Sequence, residues 1–116
     1  MSMLPQGLKL DTAMGLEYCA NSEEVYLDIL NEFRNDDRRE ELITFFAERN
    51  WERYRISAHA VKSSSQTISA TDLYEIAREI EEPLKTMDFQ PALDLHELMI
   101  VKYTDVLEML NRVLEP

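Results

Sequence analysis

The chain has 116 residues, enough for a single domain whose core needs no disulfide or metal to hold it. Twelve Lys and Arg against 23 Asp and Glu leave a formal charge of −11, without any basic cluster to neutralise phosphates, which argues against nucleic acid as a partner. A lone Cys19 rules out an internal disulfide and a thiolate metal cluster, and is expected to be a partly buried small side chain.

Residues 1–10 show neither a signal pattern nor a regular periodicity and are expected to be loose, and no stretch approaches the ~20 apolar residues that span a bilayer. A cytoplasmic location without membrane contact is the resulting expectation. Two glycines and four prolines are too few for the turns of a sheet protein, so long helices with short connections are expected. A short apolar segment, Thr12 to Cys19, carries Met14, Leu16 and Tyr18 and suits a short helix. Asn21 or Ser22 then caps the next helix, with Glu24 three residues after Asn21 as a capping box requires. Tyr26, Leu27, Leu30 and Phe33 fall on one face of that helix.

Asn35, Asp36 and Asp37 interrupt the pattern. Leu42, Phe45, Phe46 and Arg49 resume it as far as Asn50, giving either one long kinked helix or two nearly continuous ones. Asn50 is placed to cap a helix from Trp51 to about Thr67, after which Ser69 or Thr71 opens another. Leu73, Ile76, Ala77, Ile80, Leu84 and Met87 form a regular stripe, and Pro83 within it predicts a kink between Glu79 and Pro83. Asp88 is the expected cap of the last helix, with Pro91 in its first turn and a buried face of Leu95, Leu98, Met99, Val106, Met109, Leu110 and Val113. The fold class is therefore expected to be all-α: an antiparallel up-down four-helix bundle with a short extra N-terminal helix, in one domain over 1–116.

On a helical wheel at about 100° per residue, Tyr54, Ala58, Val61, Ser65 and Ile68 form the inner seam, and His59 points roughly 140° away from it. Arg55, Lys62, Ser63 and Gln66 cluster on the same outer side. A neutral imidazole is a good nucleophile near neutral pH, and Ala58 and Ala60 leave space around this one. Lys62, three residues on, and Ser63, four residues on, are its neighbours on the helix surface, and an ammonium there can offset phosphoryl charge. Ile56, one turn earlier, also projects outward and suits a docking patch with Arg55 and Ala60. Spacing alone would leave His59 an ordinary surface histidine.

The run His59-Ala60-Val61-Lys62-Ser63-Ser64-Ser65-Gln66-Thr67-Ile68-Ser69-Ala70, followed by Leu73 and by Ile80-Glu81, resembles the signature of histidine-containing phosphotransfer domains. The likeness extends upstream through Glu24 to Phe33 and the Asn50-Trp51 helix start. The resemblance implies a four-helix bundle without kinase activity of its own. His59 would be the phosphoacceptor and Lys62 its supporting cation. The implied partners are response-regulator receiver domains, with a hybrid histidine kinase as a further candidate; magnesium would be supplied by the receiver, and the chain itself would need no cofactor. Ser63 and Ser69 stand where the family has glycines. Ser63 and Gln66 are candidates for weak hydrogen bonds to the phosphoryl group or the ring.

A monomer is expected. His96 has no second histidine at metal spacing, so no metal site is expected. The acidic pairs Glu23-Glu24, Asp36-Asp37 and Glu81-Glu82 are expected to be solvated faces or caps. The competing expectations are a helical adaptor in which His59 is incidental, and a module cut from a larger sensor kinase.

Overall fold

In the computed structural model, which describes residues 2–114, six helices follow one another: α1 (Thr12–Tyr18), α2 (Glu23–Asn35), α3 (Arg39–Ala47), α4 (Trp51–Thr67), α5 (Thr71–Leu84) and α6 (Gln90–Val113). No strand occurs among the described residues. The apolar stripes dictate the packing. Tyr26, Leu30 and Phe33 of α2, Tyr54, Ala58 and Val61 of α4, Leu73, Ala77 and Ile80 of α5, and Met99, Tyr103 and Leu110 of α6 meet in one buried core. The most extensive contact is between α4 and α5; α5 packs in turn on α6, and α3 on α4.

Helix starts follow local chemistry. Ser22, not Asn21, caps α2, its hydroxyl accepting from the Val25 amide at 3.2 Å, while Asn21 takes a left-handed backbone. Asn50 caps α4 as expected, accepting from the Arg53 amide. Asp88 accepts from the Gln90 amide at 3.2 Å, although Phe89 holds the cap position of α6.

The break after Asn35 separates α2 and α3 outright. Tyr103 of α6 seals it, donating to the Asp36 carbonyl at 3.1 Å and accepting from the Arg38 amide at 3.0 Å. Asp36 and Asp37 are not free acids, since they pair with Arg38 and Arg39.

Several expectations are corrected. Residues 2–10 are not helical, yet they are anchored: Glu23 accepts from the Ser2 hydroxyl and the Met3 amide, both at 2.7 Å, and Leu4, Leu8 and Leu10 pack on the core. Met1 lies outside the described residues. Pro83 does not kink a continuing helix; α5 ends one residue later at Leu84, because the lost amide falls in its last turn. Met87 lies beyond that end with a left-handed backbone and is exposed, and Leu98 is also on the outside of α6. Arg49 follows the end of α3 and lays its guanidinium over Phe46, 4.6 Å from the ring centre.

Gly15 and Tyr26 fix the N-terminal corner. A Cβ on Gly15 would sit 2.5 Å from the Tyr26 ring, so α1 approaches α2 closely only through glycine. The same tyrosine donates to the Ile68 carbonyl at 2.8 Å, tying α2 to the end of α4. Ile80 of α5 is fully buried, and Ile80→Ala should cost about 2–5 kcal/mol in a urea titration.

Candidate functional site

The α4 sequence builds one dry face and one wet face. Tyr54, Ser57, Ala58, Val61 and Ser65 are buried, while Ile56, His59, Ser63 and Gln66 are exposed. Ser57 joins the inner seam because its hydroxyl donates to Glu41 of α3. Ser65 satisfies its hydroxyl on the Val61 carbonyl one turn back, at 2.6 Å.

The chain then reverses through Ile68, Ser69 and Ala70. Ser69 has φ +64°, a backbone that favours glycine, and its buried hydroxyl has no hydrogen-bond partner. Ser69→Gly should relieve both costs. The gain, less the extra freedom of glycine in the unfolded chain, should raise stability by about 1 kcal/mol, measurable as a higher urea midpoint.

This reversal sends α5 back along α4 and brings Glu81 under His59. The Glu81 side chain is 0% exposed, which corrects the expectation of a solvated acidic pair; only Glu82 stands in solvent. The His59 side chain is 55% exposed, and its Nδ1 lies 2.7 Å from Glu81 Oε1. The same oxygen takes the Lys62 ammonium at 3.1 Å, and Lys62 also reaches Glu82 at 3.3 Å. Lys85 approaches from the end of α5, 3.5 Å from Glu81 Oε2 and 3.7 Å from Glu82 Oε1. Two ammoniums and two carboxylates therefore form one ion-pair network, joined to the imidazole through Glu81.

Burial by itself would raise the Glu81 pKa. The hydrogen bonds from His59 and Lys62 and the charges of Lys62 and Lys85 outweigh it and hold the carboxyl below its ordinary value. Burial would likewise lower the Lys62 pKa, but Glu81 and Glu82 outweigh it and the net direction is up. An ionised carboxylate only accepts, so His59 Nδ1 carries the proton that it donates to Glu81. In the neutral ring the lone pair is then on Nε2.

The electrostatics predict a pH dependence. A depressed carboxyl contributes stability that is present above the ordinary value of 4.5 and is lost as pH falls through the lowered one. The Glu81 contribution to the stability difference between wild type and Glu81→Gln should therefore be in place above 4.5 and should close as pH falls below it. It should narrow again in strong alkali, as Lys62 loses its proton above its ordinary value of 10.5. Urea titrations at a series of pH values would measure both limbs.

Of the residues singled out in the sequence, the fold brings His59 and Lys62 together. Ile56 is exposed on the same side of α4, and Arg55 and Ala60 are half-buried beside it. Ser63 and Gln66 are exposed, and among the described residues neither side chain bonds to His59 or Lys62. Lys62 is less free than its wheel position implies: its side chain is 15% exposed and lies along α5.

His96 is the other histidine and has a different fate. It is buried, stacked on Phe46 at 3.9 Å, with Nδ1 2.8 Å from the Tyr54 hydroxyl. Burial lowers its pKa, Arg49 adds to that and Glu97 opposes it. Among the described residues no group of three or more His, Cys, Asp or Glu gathers to hold a metal ion, and no helix is long and apolar enough to cross a membrane.

The motif takes in Glu81 but gives it no role at the site, and Lys85 lies outside it. A signal for Glu81 exists, since it stands four residues after Ala77 and three before Leu84, on the buried stripe of α5. An acid at an inward position requires a partner. Comparison of the chain with models of protein families, with curated proteins and with solved structures finds no match.

Proposed function

We propose that the chain is a histidine phosphotransfer protein of a two-component phosphorelay, taking a phosphoryl group from a receiver-domain aspartate onto His59 and passing it to another. One observation carries the proposal: His59 is exposed, and its Nδ1 is held by a buried carboxylate that also holds an ammonium, so Nε2 is the ring nitrogen left to act as nucleophile.

The lone pair of Nε2 attacks the phosphorus of an aspartyl phosphate in line. A P–N bond forms, the P–O bond to the aspartate breaks, and the carboxylate leaves with the electron pair. The Nδ1 proton stays in place, donated to Glu81, and stabilises the positive charge that develops on the ring. Transfer to the next receiver reverses these events. Little covalent work falls to the protein, so orientation and charge are its contribution. The magnesium that neutralises the phosphoryl oxygens belongs to the receiver. The chain acts as a carrier without kinase activity of its own and needs no cofactor.

Ile56, with Arg55, Ala60 and the small Ser63, forms the face on which the receiver docks. Serine in place of glycine next to Lys62 still permits close approach. Among the helices, α2, α4, α5 and α6 serve as the up-down bundle that displays this face, with α1 as the extra N-terminal helix. A monomer in the cytoplasm, where receivers reside, completes the proposal.

The test is incubation with receiver domains carrying labelled aspartyl phosphate. Transfer of label to the chain in an acid-labile, alkali-stable form is the expected result. Absence of transfer from every receiver of the host would instead identify a helical adaptor.

A further inference from the structure

The resting site is closed on itself. Both ammoniums, Lys62 and Lys85, are engaged by the same two carboxylates, Glu81 and Glu82. A phosphoryl group on Nε2 would add about −1.5 to −2 of charge to a cluster that already balances. Lys62 is on the same helix as His59, three residues on, and shares Glu81 Oε1 with it. To reach the phosphoryl oxygens it must release Glu82 and loosen its hold on Glu81.

A buried Glu81 left with less compensation would resist that movement. The structure holds a replacement. Glu81 Oε2 is buried without a hydrogen-bond partner, yet the Lys85 ammonium stands only 3.5 Å from it. The Lys85 side chain is 47% exposed and long, so its ammonium can close that gap.

We infer that Lys85 is a positioning residue that takes over the Glu81–Glu82 carboxylate pair when Lys62 swings onto the phosphoryl group, with Glu82 as the acid that parks Lys62 in the empty state. The inference rests on the phosphotransfer role proposed for His59. Its consequence is a counter-ion exchange. Lys85 favours the loaded arrangement and Glu82 the unloaded one, although the two residues form an ion pair with each other.

The opposed roles give opposed results. Phosphoramidate loads an imidazole directly: Nε2 attacks phosphorus, the P–N bond of the donor breaks, and ammonia leaves with the electron pair. The lifetime of the resulting phosphohistidine is then read by phosphorus NMR at neutral pH. A cation on the phosphoryl oxygens holds the electron density that would expel the imidazole. Lys85→Met should therefore shorten the lifetime by about two- to fivefold, the range that half-exposed ion pairs support. Glu82→Gln should lengthen it by a similar factor, and Lys85→Arg should retain the wild-type value.

In a Lys62→Ala background, which itself shortens the lifetime, neither second change should have a further effect, because both act through Lys62. Changes of the same sign in Lys85→Met and Glu82→Gln would overturn the inference, as would an effect of Lys85→Met that persists without Lys62. Normal loading with a Lys85→Met lifetime equal to wild type would overturn it while leaving the phosphotransfer role standing. Failure of wild-type His59 to take up the phosphoryl group from both phosphoramidate and receivers would remove that role and the inference together.

Discussion

His59→Gln should abolish phosphoryl acceptance while leaving the fold intact. Glutamine has no nucleophilic ring nitrogen, so uptake of label from a phosphorylated receiver should fall to background. The remaining imidazole cannot substitute, because His96 is 6% exposed, stacked on Phe46 and bonded to Tyr54. The stability cost should be small, within about 1 kcal/mol, because position 59 is exposed and the glutamine amide can still donate to Glu81. Acid-labile label counted alongside a urea titration checks both statements. Label that survives in the variant would place the phosphoryl group elsewhere.

Glu81→Gln is expected to damage both folding and chemistry. The side chain is buried and faces three positively charged or proton-donating groups, His59, Lys62 and Lys85. Loss of its charge leaves Lys62 partly buried with only the half-exposed Glu82 as counter-ion. The expected loss is about 1–3 kcal/mol, below the range for a fully buried pair because Lys85 and Glu82 reach solvent. A neutral amide also accepts or donates, so His59 is no longer committed to one tautomer. Transfer should slow by about tenfold or more, equivalent to one orienting hydrogen bond of roughly 1.4 kcal/mol. Glu81→Leu goes further: an apolar side chain offers His59 Nδ1 and the Lys62 ammonium no acceptor at all, so it should cost more stability than Glu81→Gln and recover none of the transfer rate. Transfer at the wild-type rate in Glu81→Leu would show that the carboxylate is structural only.

Much of the helical pattern was readable from residue spacing. The stripes Tyr26–Leu30–Phe33 and Leu73–Ile76–Ala77–Ile80–Leu84 are buried as their period requires. The exposure of His59 and the burial of Tyr54, Ala58, Val61, Ser65 and Ile68 also follow from the wheel. Helix ends were less legible. Ala20, Asn21, Arg49, Ser69 and Met87 all have left-handed backbones, and no glycine marks any of these turns. The anchoring of residues 2–10 was also hidden, since it depends on Glu23, which is distant in sequence.

The sequence by itself determined that the chain is helical, which faces of its helices are dry, and that one of its two histidines is turned to water next to a lysine. Those properties depend on neighbours within one or two turns. Tertiary structure alone decided that Glu81 lies beneath His59, that Lys62 rests along α5, and that His96 is enclosed by Phe46 and Tyr54. Each of those pairings joins different helices, and its geometry is fixed by the reversal at Ser69 and by core packing. A carboxylate in a row of letters has no address until a second helix is laid against it.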